Sequence, residues 1–153
     1  MKKLLSLSVF LIITLGISAI VGYAIAPNIN TWYAQLNHPI FAPPNWVFAP
    51  VWTLLYIMIG ISGWLIYEKN SFTGGSLLIW TIQLFLNFVW SFLFFNLHFL
   101  LVSLIEMSIL LVFIMLNIRY FYQKSKLSGW LLMPYFCWVC FAWTLNLMYW
   151  ILN

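Results

Sequence analysis

Charge is what this sequence most lacks. Of its 153 residues, six are Lys or Arg and two are Asp or Glu, so that charged residues make up 5% of the chain, against about 25% in soluble domains. A water-soluble fold of this length needs a charged shell around its core, and so few charges cannot cover one. Nucleic-acid binding is excluded on the same ground, because the net charge of +4 comes from scattered cations and not from a basic stripe. Cysteine is nearly absent too. Cys137 and Cys140 form a single C-x-x-C inside an apolar run, where nothing nearby favours a thiolate and no second pair completes a zinc site. Both are expected to be small packing residues. The chain also lacks a nucleophile–base arrangement, a phosphate-binding glycine loop and a carboxylate pair of the kind hydrolases use, and no resident cofactor or metal is expected.

What the chain has instead is apolar surface: 65% of residues are hydrophobic and 21% aromatic. Apolar side chains can face lipid as readily as core, so the composition predicts an all-α membrane protein, a five-transmembrane-helix bundle in a single domain spanning residues 1–153. The apolar runs extend over about residues 4–26, 46–67, 76–95, 99–120 and 130–151. Polar clusters separate them: Glu68-Lys69-Asn70, Phe72-Thr73-Gly74-Gly75, a tight Asn96-Leu97-His98 turn, and Gln123 to Gly129. The one long connection, residues 27–45, carries Pro27, Pro39, Pro43 and Pro44. Lys2-Lys3 and Ala24-Ile25-Ala26 imitate a secretory signal and its cleavage site, but the apolar run is too long and Pro27 follows, so the segment is expected to be retained as a span. With five spans, Lys2, Lys3, Lys69, Arg119, Lys124 and Lys126 all fall on the N-terminal side. Basic residues are held on the cytoplasmic side during insertion, which predicts a cytoplasmic N-terminus and an external C-terminus.

Within the spans a few patterns carry chemical information. Gln83, Asn87 and Ser91 recur every four residues on one face of the third span, and amides facing lipid are unfavourable, so this face should look into the bundle. It serves either as interhelical glue or as a ligand's hydrogen-bonding wall. Trp52, Tyr56, Ile59 and Gly63 in the second span, and Trp138, Ala142, Leu145 and Tyr149 in the fifth, make two narrow stripes. Large rings beside small residues line a slot for a flat apolar ligand, although the same stripes also suit packing or an interfacial belt. Trp64, off the Trp52 stripe, is expected to face lipid. Thr14, Ser18, Gly22 and Ala26 give the first span a small-residue face for close helix approach. Glu106, the only carboxylate well inside a span, is expected to hydrogen-bond Ser103 or the third-span amides, or to serve a proton-linked role. His38 and His98 lie near the external face, where solvation and iron ligation both remain open.

The loop segment Trp32-Tyr33-Ala34-Gln35-Leu36-Asn37-His38-Pro39, followed by Ala42-Pro43-Pro44-Asn45-Trp46 and Pro50-Val51-Trp52-Thr53-Leu54-Leu55-Tyr56, resembles the tryptophan-rich sensory protein family, which includes the mitochondrial translocator protein or peripheral benzodiazepine receptor. Leu86-Asn87-Phe88-Val89-Trp90-Ser91 resembles its third-span motif, and Pro134-Tyr135-Phe136-Cys137-Trp138 with Phe141-Ala142 and Leu145-Asn146 its fifth. The resemblance implies a bundle in the lipid bilayer, commonly a homodimer, that binds porphyrin or haem and, in animal members, cholesterol and isoquinoline or benzodiazepine ligands. The pocket it implies includes Trp32, Tyr33, Pro43, Pro44, Trp52, Tyr56, Asn87, Trp90, Ser91, Trp138 and Ala142, beneath the first loop. Some bacterial members promote light-dependent porphyrin breakdown, for which Trp52 and Trp138 are the implied pair. The function so implied is a membrane tetrapyrrole sensor or translocator, with a proton-linked transporter or a porphyrin-modifying enzyme as rivals. His38 stands where the family usually has a basic residue. Leu147 and Ile151 replace the Tyr and basic residue of the animal sterol motif, so sterol recognition through it is not expected.

Overall fold

Backbone polar groups in lipid must be satisfied within their own segment, and the chain meets this requirement with helices throughout. The computed structural model describes residues 2–69 and 73–153, so the connection through Asn70 to Phe72 lies outside the described residues. The elements are α1 (Lys2–Asn28), continued by a π-helical turn (Ile29–Tyr33); a 3-10 turn (Asn45–Val47) leading into α2 (Phe48–Glu68); α3 (Gly74–Phe95); α4 (Leu100–Lys124); α5 (Lys126–Leu131); and α6 (Met133–Leu152). They make five helical segments long and apolar enough to cross a membrane, the fifth formed by α5 and α6 together. The fold is therefore the five-helix bundle that the composition predicts. Apolar side chains such as Leu5, Ile12, Phe85, Val112 and Met115 stand exposed around its outside, an arrangement suited to lipid and not to water.

Several boundaries differ from the sequence reading: α4 and α5 extend into the Gln123 to Gly129 cluster read as a connection, and two further differences trace to proline. Pro27 does not open the loop. It lacks the N–H that would bond one turn back, and the helix accommodates it by widening into the π turn, where the Thr31 hydroxyl donates to the Pro27 carbonyl at 2.8 Å. Trp32 and Tyr33 consequently sit on the end of the first helix, and the covering loop is shorter than residues 27–45. In the fifth span the helix breaks at Leu132, just before Pro134 in the first turn of α6. At the start of α5, Ser125 caps the helix by accepting from the Ser128 N–H at 3.4 Å.

Small residues fix how the helices meet. A Cβ on Gly60 would come within 2.7 Å of the Thr14 hydroxyl oxygen, and one on Gly63 within 2.9 Å of the Trp80 indole nitrogen, so α1 and α3 close tightly on α2 at these two glycines. Ser62 and Ser128 exchange hydrogen bonds with each other's carbonyls at 2.8 and 2.7 Å, tying α2 to α5. At the basic end Lys3 pairs with Glu68 at 3.7 Å, and the Ser6 hydroxyl donates to the same carboxylate at 3.0 Å. Trp64 corrects the expectation of a lipid-facing ring: its indole N–H donates to the Ser6 oxygen at 3.1 Å, and the ring packs on the core between α1 and α2. At the opposite end, the turn between α3 and α4 is as tight as expected. His98 takes the left-handed conformation, φ 61°, that so short a reversal requires, and Asn96 donates to the Ala24 carbonyl at 3.0 Å.

Candidate functional site

The close contact of α1 with α2 at Thr14 and Gly60 gives way, toward the loop end, to a cavity of about 450 Å³. One wall is the small-residue face of α1, with Ser18, Ala19 and Gly22, continued by Ile25, Ile29 and Tyr33. Phe48, Trp52 and Tyr56 of α2 form the second wall, and Asn87, Trp90, Ser91 and Phe95 of α3 form the third. The stripes of α1 and α2 are thus each divided between two tasks. On α1, Thr14 packs while Ser18 and Gly22 border space; on α2, Ile59 and Gly63 pack while Trp52 and Tyr56 border space. Ala49 and Thr53 of α2 and Gly22 of α1 are exposed and also border the cavity, so it opens sideways between these two helices.

The polar points in this apolar space are held rigidly. Tyr56 donates to the Asn87 carbonyl oxygen at 2.8 Å, and the Asn87 amide donates to the Tyr135 hydroxyl at 2.9 Å; the three residues are 2%, 1% and 0% exposed. That leaves Asn87 one N–H and one lone pair for a guest. The Ser91 hydroxyl donates to the Asn87 backbone carbonyl at 3.2 Å. Trp90 is fixed through its indole N–H, which donates to Asn146 at 3.1 Å; Ser103 donates to the same oxygen at 3.0 Å, and the Asn146 amide donates to the Leu100 carbonyl at 2.9 Å. The third-span face thus looks into the bundle as its pattern predicts. Gln83, one turn further along, is fully buried with neither amide atom partnered among the described residues.

Aromatic rings connect the cavity to its surroundings. Trp52 lies 6.3 Å from Trp90 and 6.4 Å from Tyr135, centroid to centroid. Of the residues singled out from sequence, Tyr33, Trp52, Tyr56, Asn87, Trp90 and Ser91 converge on the cavity. Trp32, Pro43, Pro44, Trp138 and Ala142 stand off its lining. Trp32 stacks on His98 at 4.1 Å. Trp138 meets Phe48 at 6.1 Å, so a single ring separates it from the cavity, and its indole nitrogen is buried without a hydrogen-bond partner among the described residues. Glu106 is buried with both carboxyl oxygens unpartnered among the described residues, and Ser103 bonds Asn146 and the Leu100 carbonyl instead of it. Cys137 faces outward from α6, and Cys140 is half-buried. Sequence reasoning missed Phe48 and Phe95 as lining, and Asn146 as the brace of Trp90. An asparagine in an apolar helix was the available signal for the brace; nothing local marked the two phenylalanines.

Comparison with known proteins places this arrangement. Residues 8–151 match the sequence profile of the TspO/MBR family. The chain belongs to that family. It is similar to the tryptophan-rich protein TspO of Archaeoglobus fulgidus, with 41% identity over 148 residues, covering 95% of this chain and 94% of the relative. The human translocator protein is 31% identical over 146 residues, covering 84% and 86% of the two chains. The tryptophan-rich sensory protein of Cereibacter sphaeroides is 29% identical over 131 residues, covering 86% and 81%. As a TspO/MBR protein with five membrane-crossing helical segments, the chain is an integral, multi-pass membrane protein.

Proposed function

We propose that this TspO/MBR protein binds tetrapyrroles, porphyrin or haem, in the cavity between α1, α2 and α3, and acts as a membrane sensor or translocator for them. One observation carries the reading. An apolar slot of about 450 Å³ is walled by Trp52, Trp90, Phe48 and Phe95 and holds at its wall an Asn87 amide fixed by two buried phenols. Such a site suits a flat apolar ring that needs stacking faces and a few oriented polar contacts. The sideways opening between α1 and α2 suits a guest arriving from the bilayer. In this reading Trp32, Pro43 and Pro44 belong to the cover, and Trp138 with Ala142 stands behind Phe48 as a second layer. Trp52 and Trp138 are the pair that assists light-dependent breakdown of the bound porphyrin. Isoquinoline- or benzodiazepine-type ligands occupy the same space, the protein works as a homodimer, and the basic end with the N-terminus faces the cytoplasm.

Titrating the purified protein with protoporphyrin, haem and a sterol, followed by tryptophan quenching, tests the proposal. Stacking on an aromatic ring is worth about 1–3 kcal/mol, so Trp52→Ala should weaken porphyrin roughly five- to a hundred-fold. Trp138→Ala should weaken it less and should impair light-driven breakdown. Trp130, 60% exposed at the basic end, is the control ring. Parental porphyrin affinity in Trp52→Ala and Trp138→Ala alike would refute the site.

A further inference from the structure

At the loop end three polar side chains form a chain that spans from the cavity wall to solvent. The Tyr33 hydroxyl lies 2.7 Å from the Tyr149 hydroxyl, which in turn lies 2.7 Å from His38 Nδ1. Tyr33 is 4% exposed and Tyr149 2%, whereas His38 is exposed. Tyr33 also lines the cavity. The loop that carries His38 is anchored beside this chain, where the Asn37 N–H donates to the Asn153 side chain at 2.8 Å and the Asn37 amide donates to the Leu152 carbonyl at 3.2 Å.

Counting hydrogens shows what the arrangement can do. A neutral histidine ring can offer Nδ1 as an acceptor. Tyr149 then donates to Nδ1 and Tyr33 donates to Tyr149, so both hydroxyl hydrogens are used. An imidazolium has no acceptor, because both of its nitrogens carry hydrogen. Nδ1–H then donates to the Tyr149 oxygen, and one of the two hydroxyl hydrogens is left without a partner in the chain; when Tyr149 donates to the Tyr33 oxygen it is the hydrogen of Tyr33, the residue that lines the cavity. Tyr149 is the only hydrogen-bond partner of the Tyr33 hydroxyl among the described residues, and an unpaired donor is unfavourable at a site so deeply buried. An acceptor on a guest in the cavity relieves it.

We propose that His38, acting through Tyr149, sets the direction of the Tyr33 hydroxyl and so makes this end of the cavity a subsite for a carboxylate, available when His38 is protonated. The inference rests on the reading of the cavity as a porphyrin site, and it assigns the porphyrin's propionate end to the loop side. His38 is a positioning residue, and Tyr33 is the group that meets the ligand. Binding of a carboxylate there and protonation of His38 favour each other, because both are satisfied by the same orientation of the hydroxyl chain. Tyr33, on the first helix, and Tyr149, on α6, are the titratable groups that face His38. His98, the other titratable side chain at this end, stacks on Trp32 instead. None of the Lys, Arg, Asp or Glu residues lies in the loop or the turn between α3 and α4.

The experiment compares mesoporphyrin, a metal-free dicarboxylic porphyrin, with its uncharged dimethyl ester, measuring affinity by tryptophan quenching at pH 8 and pH 6. Expected is a gain of about tenfold for the diacid on going to pH 6, with less than a twofold change for the ester. His38→Ala should abolish the gain, and His98→Gln should keep it. Tyr149→Phe is the decisive variant. It leaves the Tyr33 hydrogen without an acceptor at either pH, so the diacid should bind at pH 8 as tightly as the parent does at pH 6, with the pH dependence gone. A melting transition in detergent confirms that each variant is folded. Persistence of the gain in a folded Tyr149→Phe protein would overturn the relay in favour of direct attraction by the His38 charge. Equal behaviour of diacid and ester, with both still binding, would overturn the subsite and leave the porphyrin site standing. No binding of either porphyrin by the parent would overturn the subsite and the porphyrin site together.

Discussion

Replacing Asn87 by leucine removes in one step the acceptor of the Tyr56 hydroxyl and the donor to the Tyr135 hydroxyl, bonds of 2.8 and 2.9 Å between residues no more than 2% exposed. Leucine keeps the branched skeleton of asparagine with two bulkier methyl groups, for which the adjoining cavity leaves room, so the cost is chiefly that of two stranded phenol groups. An unsatisfied buried polar group costs about 1–3 kcal/mol, which puts Asn87→Leu at about 2–5 kcal/mol. Tyr56 loses the acceptor to which its hydroxyl donates, whereas Tyr135 keeps its own hydrogen and loses only an incoming bond, so Tyr56 should account for the larger share. The cycle of Asn87→Leu, Tyr56→Phe and the double variant, measured by reversible unfolding in mixed micelles, separates the two. Tyr56→Phe removes the stranded group, so the double variant should be more stable than Asn87→Leu alone by about 1 kcal/mol or more. A cost below about 0.5 kcal/mol for Asn87→Leu, or no recovery in the double variant, would refute the claim that this amide is braced by the phenols.

Further consequences are open to measurement. Gly60→Val should destabilise the bundle by about 1–3 kcal/mol, because its Cβ would meet the Thr14 hydroxyl oxygen at 2.7 Å and the Phe10 backbone carbonyl at 3.4 Å; Gly16→Ala, with nothing within 4 Å, should be neutral in the same unfolding assay. Cys137→Ala with Cys140→Ala should leave porphyrin affinity and melting temperature within error, since one thiol faces outward and the other is only half-buried; a selective loss of binding would contradict this. Reporter fusions at the two termini should give opposite signals, the N-terminal one cytoplasmic, because all six Lys and Arg fall at one end of the bundle; identical signals would contradict it.

The number of membrane-crossing segments, their order and the segregation of charge were legible in the sequence because each depends on local composition. Lipid imposes one rule on every backbone group it surrounds, and an apolar run of sufficient length has essentially one way to obey it. The inward face of α3 was legible for a related reason: amides avoid lipid, so the spacing of Gln83, Asn87 and Ser91 indicates direction. Tertiary structure alone decided which part of each stripe packs and which borders space. Ser18 and Thr14 share one face of α1, as Tyr56 and Gly63 share one face of α2, yet only the crossing of the two helices at Gly60 determines where contact ends and the cavity begins. Trp64 shows the same limit, since periodicity could not reveal that Ser6, 58 residues away in the chain, would supply its hydrogen-bond acceptor. The chain of Tyr33, Tyr149 and His38 joins residues 116 and 111 positions apart. Sequence holds the chemistry of those three groups, but hydrogen bonds act over a few ångströms, and only the folded bundle brings them within that range.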